Sequence, residues 1–190
     1  MVGSSLEQLT QAQDDTLPPI TLRWHAFELR PAGAPPLPAE YRERIEASRP
    51  QLYATARERY QREMNPGPFG IDSRPALVGE KYAEAMGCGA AFHDAVMHAY
   101  WADARDISDR NVLAELAEAV GMARDDFLAA LDDPTYDDKV QADVETARMY
   151  GLNGVPALIF DNKYLVSGAQ PADVLRQVVA RIVQENDNGG

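Results

Sequence analysis

Gly154-Val155-Pro156-Ala157-Leu158-Ile159-Phe160, followed after a short turn by Tyr164-Leu165-Val166-Ser167-Gly168-Ala169-Gln170-Pro171, is the stretch of this chain that decides its fold. Each segment contains a four-residue run whose mostly apolar or aromatic side chains are typical of a short strand. The residues between the two runs, Asp161-Asn162-Lys163, favour the turn of a β-hairpin. From Val174 to Val183 apolar residues recur at helical spacing, which predicts an amphipathic helix at the end of the chain.

The chain begins with the pattern of one helix and one strand. Leu6, Leu9 and Ala12 have the spacing of one face of a short helix. Apolar and polar side chains then alternate over Ile20–Phe27, which predicts a half-buried strand. Four prolines within Pro31–Pro38 predict a loop and a domain boundary.

The middle of the chain, from Ala39 to Gly151, has helical patterns throughout. Asp133 precedes Pro134, as an N-cap precedes a proline at the first helical position. Another helix is predicted to begin at Ser108 or at Asp109 and to end at Gly121. Breaks are expected at the remaining prolines of this block, which are Pro50, Pro66, Pro68 and Pro75. The tail from Asn186 to Gly190 is expected to fray.

The order strand, helical block, hairpin and helix predicts an α/β fold. We expect a core made of residues 1–37 and 152–190, with a helical domain of residues 38–151 inserted into it. A chain of 190 residues is the right length for one such domain with an insertion.

Composition excludes several classes of function. The net charge of −12 disfavours nucleic acid and anionic membranes as partners. No run approaches the roughly 18 apolar residues of a membrane span, and the first fifteen residues lack a signal-peptide core. Cys88 is the one cysteine, so an internal disulfide is excluded and a reducing, cytoplasmic location is expected.

Five segments stand out in sequence order: Arg23–Pro31, Gly67–Arg74, Tyr100-Trp101 with Arg105–Ile107, Gly154–Pro156 and Val166–Pro171. Together they resemble the FrnE-like cytoplasmic branch of the DsbA family. The resemblance covers nearly the whole chain from Leu6 onward. It implies a thioredoxin-like, DsbA-type α/β fold with a large all-helical insertion, and the activity of a thiol–disulfide oxidoreductase.

The chain departs from that family at its amino-terminal end. In the family the first strand leads into a Cys-Pro-aromatic-Cys motif, and Met1–Glu7 resembles the helix that follows the second cysteine. We therefore expect the first strand and the dithiol to be missing from this sequence. Either Met1 is an internal methionine of a longer reading frame, or the protein is a truncated paralogue. The chain as given has no catalytic residue and is expected to be inactive in disulfide exchange.

The resemblance also implies a substrate-binding segment at Val155-Pro156. The peptide bond between these residues is expected to be cis, and the substrate, a protein or a small thiol or disulfide, is expected to add beside it like a strand. The residues themselves leave open a plain turn before a strand.

Other chemically active residues have weaker patterns. Cys88 is expected to be structural filler, with a reactive thiol as the alternative. Glu28 is expected to be an exposed strand end, although a buried carboxylate near the dithiol is the alternative. His25 lies on the predicted strand, while His93 and His98 are five residues apart and point in different directions on a helix. We therefore predict neither a metal site nor a cofactor.

Three aromatic residues at helical spacing, Phe92, Tyr100 and Trp101, are expected to belong to the core of the insertion, or else to line a substrate cleft.

Two other functions remain open. One is a glutathione-dependent isomerase or transferase of the 2-hydroxychromene-2-carboxylate isomerase and kappa type, which the same resemblance allows. The other is a non-catalytic module that binds through the cis-proline groove. Self-association into a homo-oligomer is also left open.

Overall fold

A computed structural model describes residues 2–11, 17–31 and 33–188. The described residues form eight helices and one antiparallel pair of strands: α1 (Val2–Gln11), α2 (Ala39–Tyr60), α3 (Arg74–Ala85), α4 (Gly89–Trp101), α5 (Arg110–Ala119), α6 (Arg124–Ala130), α7 (Pro134–Met149), β1 (Ala157–Phe160), β2 (Tyr164–Ser167) and α8 (Ala172–Asn188). The α/β class with a large helical part is confirmed. None of the described helices is long and apolar enough to cross a membrane.

The chain divides into two compact units. The hairpin unit consists of Met1–Trp24 and Leu152–Gly190, and the helical unit of His25–Gly151. That residues 38–151 are a domain inserted into a core of residues 1–37 and 152–190 stays a prediction.

The hairpin unit has a small apolar core. Leu6 and Leu9 of α1 pack with Leu175 of α8, and half-buried side chains of the hairpin and of the segment before Trp24 pack against them. The predicted face of α1 is therefore confirmed for Leu6 and Leu9, while Ala12 lies outside the described residues.

The hairpin has the predicted turn. Asp161 and Asn162 both adopt positive φ, and the Lys163 N–H donates to the Phe160 carbonyl at 3.0 Å. Two consecutive positive-φ residues give the turn the handedness that matches the twist of two antiparallel strands. The register pairs Ala157 with Ser167 and Phe160 with Tyr164.

The helical unit has a larger core. Phe92 of α4, Leu113 of α5 and Phe127 of α6 are completely buried. The Phe92 and Phe127 rings lie 5.3 Å apart between centroids. Gly79 of α3 lies against both rings, and a Cβ there would come within 2.7 Å of Phe127. The close approach of α3 to this aromatic pair therefore depends on glycine.

The predicted helix starts are confirmed. The side chain of Asp109 accepts from the Asn111 N–H at the start of α5, and that of Asp133 accepts from the Thr135 N–H at the start of α7. Each carboxylate satisfies an N–H that has no partner within its helix. Gly121 follows α5 with φ of +91°, the left-handed conformation expected beyond a helix end.

Three local expectations are wrong. Ile20–Phe27 is extended but forms no strand, because a strand needs a neighbour for its ladder and the described sheet contains only β1 and β2. Pro50 lies inside α2, on an exposed stretch where the helix continues past it. The tail Asn186–Gly190 is expected to fray, but the backbone of α8 stays helical to Asn188, and residues 189–190 lie outside the described residues.

Candidate functional site

The segment predicted to bind substrate lies at the start of the hairpin. The Val155–Pro156 peptide bond is cis, the isomer that the sequence analysis expects. The Val155 side chain is 53% exposed, and the Pro156 carbonyl accepts a hydrogen bond from the Gly168 N–H at 2.9 Å. The exposed Val155 therefore directly precedes Pro156, whose carbonyl is hydrogen-bonded to the second half of the hairpin.

One edge of β1 is open. The bond from Gly168 to Pro156 makes these two residues a hydrogen-bonded pair, and such pairs alternate along an antiparallel ladder. The N–H and C=O groups of Ala157 and Ile159 therefore point away from β2. Within the described residues no strand pairs with that edge, so it presents a row of donors and acceptors next to Val155.

A second cluster of polar residues lies in the helical unit, around Asp143 of α7. Its carboxylate accepts from Lys81 Nζ at 2.8 Å and from the Ala26 N–H at 2.8 Å, and it lies 2.7 Å from His25 Nδ1. Lys81 also contacts Glu84 at 3.1 Å. The carboxylate thus connects α3, α7 and the extended segment at His25.

In this cluster burial and the hydrogen-bond partners shift the pKa values in opposite directions. Burial alone would raise the pKa of Asp143, but hydrogen bonds from Lys81, Ala26 and His25 outweigh it, and the pKa is lowered. Burial alone would lower the pKa of Lys81, but Asp143 and Glu84 raise it above the ordinary lysine value. The ammonium and the carboxylate are therefore both charged near neutral pH.

Glu28 does not lie at an exposed strand end, so that expectation is wrong. Its side chain is only 10% exposed and accepts from Arg74 Nη1 at 3.1 Å. Arg74 also donates twice to Asp137, at 2.7 and 2.8 Å. Hydrogen bonds from Arg74 lower the pKa of Asp137. One guanidinium therefore binds two carboxylates, and Glu28 is a structural ion-pair partner within the helical unit.

Cys88 is the N-cap residue of α4 and is half-buried. Its Sγ lies 3.6 Å from the Ala83 carbonyl, and its side chain packs on the helical core. These contacts favour the structural role over the reactive one.

The three histidines lie apart, and each contacts a carboxylate: His25 with Asp143, His93 with Glu80 at 2.9 Å, and His98 with Asp103 at 3.6 Å. In the described part of the chain no three His, Cys, Asp or Glu side chains are placed to hold a metal ion.

The aromatic cluster is split between core and surface. Phe92 is fully buried, as expected of the core. Trp101 is 39% exposed and makes an edge contact with Tyr100, with ring centroids 5.0 Å apart. The expectation of a core position is therefore wrong for Trp101.

Sequence patterns missed the Asp143 cluster and the Arg74 fork. Asp143 and Lys81 are 62 positions apart in the chain, and each lies on a helix with many other charged residues. Helical periodicity was the one signal for this cluster, because it places Lys81 on the same face of α3 as the buried residues Val78 and Tyr82.

Comparisons with known proteins relate the chain to one family. The sequence profile of a protein family described as "DSBA-like thioredoxin domain" matches residues 2–180 of this chain. A thiol:disulfide interchange protein DsbA of Pseudomonas syringae is 31% identical over 81 residues, which are 43% of this chain and 38% of that protein. The aligned region thus spans well under half of that relative's length.

Solved structures similar to this chain include the following two. A "probable DsbA oxidoreductase" from Streptomyces coelicolor has a TM-score of 0.66 and 31% identity, covering 77% of this chain and 65% of that one. A 2-hydroxychromene-2-carboxylate isomerase has a TM-score of 0.78 at 19% identity, covering 100% of this chain and 92% of that one. The second likeness shows the fold alone.

Proposed function

The chain belongs to the DSBA-like thioredoxin domain family, and we propose that it is the substrate-binding part of a FrnE-like thiol–disulfide oxidoreductase. In this proposal Val155 and Pro156 bind an extended segment of a polypeptide that carries a thiol or a disulfide. The dithiol that exchanges with this substrate is supplied by residues other than these 190.

The observation that carries the proposal is the open edge of β1. The outward N–H and C=O groups of Ala157 and Ile159 can pair with a strand laid beside them. Val155 extends this edge, and its own backbone makes no hydrogen bond with the described residues. An added strand would satisfy these groups and cover the exposed Val155 side chain.

The chemistry requires a second thiol. In disulfide exchange one thiolate attacks a substrate sulfur and forms a mixed disulfide, and a second thiol attacks that bond to release the reduced substrate. Cys88 is the one thiol of the sequence, and it is packed on the core of the helical unit. The chain binds substrate in this scheme, and an external dithiol is the reductant.

The FrnE-like assignment and a cytoplasmic location belong to the same proposal. They are supported by the five FrnE-like segments and by the single cysteine, since a reducing compartment disfavours disulfides.

Binding of a reduced, unfolded polypeptide tests the proposal. We expect Val155→Asp to weaken binding, because it places a charge where the substrate packs. Ile159→Pro should also weaken it, because proline removes an outward N–H while the ladder to β2 keeps its bonds. Leu165→Asp on β2 is the matched control, since Leu165 is exposed to a similar degree, at 49%. Equal affinity of Val155→Asp and the parent chain would contradict the proposal.

The rate at which dithiothreitol reduces insulin in the presence of the chain tests whether the chain by itself catalyses disulfide exchange. We expect the parent chain and Cys88→Ala to give the same rate. A rate that depends on Cys88 would overturn the role given to the external dithiol.

A glutathione-dependent isomerase stays an alternative hypothesis, as does a purely non-catalytic binding module. The fold likeness to the isomerase does not distinguish it from the oxidoreductase proposal. Isothermal titration with glutathione separates them: saturable binding that survives Ile159→Pro would favour the isomerase class.

A further inference from the structure

The carboxyl end of α4 carries an exposed aromatic surface that is firmly held in place. The Asn65 N–H donates to the Trp101 carbonyl at 2.8 Å, and the Gly67 N–H donates to the Tyr100 carbonyl at 2.6 Å. The Tyr100 hydroxyl donates to the Pro68 carbonyl at 3.2 Å. The loop before Phe69 is therefore bound to the last turn of α4 by three hydrogen bonds.

Close packing fixes this loop further. A Cβ at Gly67 would lie 2.8 Å from the Tyr100 ring and would also contact the Arg105 carbonyl. Only glycine allows the loop backbone to approach the ring so closely. The side chains of Phe69 and Trp101 nevertheless remain 40% and 39% exposed. Exposed aromatic side chains on a backbone that is already held in place are the kind that contribute much of the binding energy at interfaces, because the backbone loses little conformational freedom on binding.

An arginine side chain, that of Arg49, lies beside these rings. The Arg49 guanidinium lies over the Phe69 ring, 5.6 Å from its centroid. Burial raises the pKa of Tyr100, the charge of Arg49 acts to lower it and that of Asp106 acts to raise it, so both charged groups act on this ring. The Asp106 carboxylate already accepts hydrogen bonds from the Ser108 N–H and hydroxyl. Among the described residues Arg49 has no carboxylate partner, whereas Arg57, Arg74 and Arg110 are each paired.

We propose that Arg49, Phe69, Tyr100 and Trp101, here called the aromatic platform, bind an apolar residue followed by an acidic residue in a polypeptide. The apolar side chain would pack on the exposed rings, and the acidic side chain would pair with Arg49. Charge complementarity selects this occupant, because Arg49 repels basic segments and attracts carboxylates. The inference rests on the proposed function in that this polypeptide is the thiol–disulfide substrate.

Short peptides without sulfur test the platform alone. Three capped hexapeptides have the sequence Gly-Ser-Phe-X-Ser-Gly, with X as Glu, Gln or Lys, and their affinities are measured by isothermal titration at 0.15 M salt. We expect the Glu peptide to bind about three- to fivefold more tightly than the Gln peptide, as a partly exposed ion pair allows. The Lys peptide should bind most weakly.

Variants of two arginines on the same helix sharpen the test. Arg49→Gln should remove the difference between the Glu and Gln peptides, and Arg49→Glu should make the Lys peptide the tightest. Arg44→Gln is the matched control, because Arg44 lies over the Tyr41 ring, 5.0 Å from its centroid, on the same helix. It should leave the order unchanged.

Trp101→Ser should weaken all three peptides alike, and Phe69→Ser provides the same test with a second ring. Equal affinities for the three peptides, or equal effects of Arg44→Gln and Arg49→Gln, would overturn the proposal. The substrate-edge proposal is tested by Val155→Asp with the unfolded polypeptide, whereas the platform proposal is tested by the order of the three peptides and its change in Arg49→Gln, so the failure of one is distinguished from the failure of the other.

Discussion

The helical unit has a fully buried apolar core, whereas the described part of the hairpin unit has a strand, β1, with one unpaired edge. The helical unit buries Phe92, Leu113, Phe127 and Val140 completely. In the hairpin unit all four residues of β1 are only half-buried. The difference has a simple cause: a helix forms its backbone hydrogen bonds within itself, whereas each strand of a two-stranded sheet has one edge without a partner.

Polar groups follow the same division. In the helical unit Asp143 and Arg74 each bind several partners, and no buried side-chain nitrogen or oxygen of the described residues lacks one. In the hairpin unit no described strand pairs with the outward backbone groups of β1. The helical unit is therefore the place to test stability, and the hairpin unit is the place to test substrate binding.

The largest expected effect is the loss of a core aromatic residue. Phe127→Ala should lower the free energy of unfolding by about 3–5 kcal/mol, because the cavity borders Phe92 and Gly79. Leu165→Ala on β2 should cost less than about 1 kcal/mol, since its side chain is half exposed. Urea denaturation followed by circular dichroism measures both. Equal costs would remove the contrast between the two units.

The next effect concerns the buried charge of Lys81. Asp143→Asn removes its nearest carboxylate and should lower the free energy of unfolding by about 2–4 kcal/mol, because Glu84 compensates only in part. Asp94→Asn, at an exposed position on α4, is the control and should change stability by less than about 0.5 kcal/mol. A similar loss in both variants would contradict the role of the Asp143 cluster.

The same carboxylate predicts an acid dependence. The pKa of Asp143 is lower in the folded protein than the value of about 3.9 in an unfolded chain. Its stabilising contribution is therefore complete above about pH 4 and is lost as the pH falls through the folded-state value. Melting temperatures measured from pH 6 down to pH 2.5 should fall less steeply for Asp143→Asn than for the parent chain. Parallel profiles would refute this.

The smallest expected effect concerns the shape of a cation. Arg74→Lys keeps the charge but loses the fork that binds Asp137 twice and Glu28 once. We expect a loss of about 1–2 kcal/mol in the free energy of unfolding. Arg124→Lys, in a more exposed pair with Glu118, should cost at most about 0.5 kcal/mol. Denaturation at low and high salt should show the larger loss at Arg74 under both conditions.

Local chemistry made much of the secondary structure predictable from sequence. The caps at Asp109 and Asp133 depend on one side chain and an N–H two residues away, so neighbouring residues decide them. The hairpin turn depends likewise on Asp161 and Asn162. Ile20–Phe27 could not be decided in this way, because alternation describes a strand's faces and not whether a neighbour lies beside it.

The residues of the candidate sites likewise fall into those that the sequence predicts and those that it does not. Val155 and Pro156 were identified from their place before an apolar run, by resemblance to a family with a known order of segments. The exposed Trp101 was not identified, because helical spacing places aromatic residues on a helix without stating which face the rest of the protein covers.

The sequence by itself determined the family, the helical character of the middle of the chain with its caps at Asp109 and Asp133, the hairpin and the lack of a second thiol among these 190 residues. Each of these depends on residue identity or on neighbours a few positions apart. Only the tertiary structure decided that Glu28 is buried against Arg74, that Asp143 holds Lys81, and that β1 has an open edge. These features depend on groups tens of residues apart in the chain, and their burial and pairing exist only once the helices have packed.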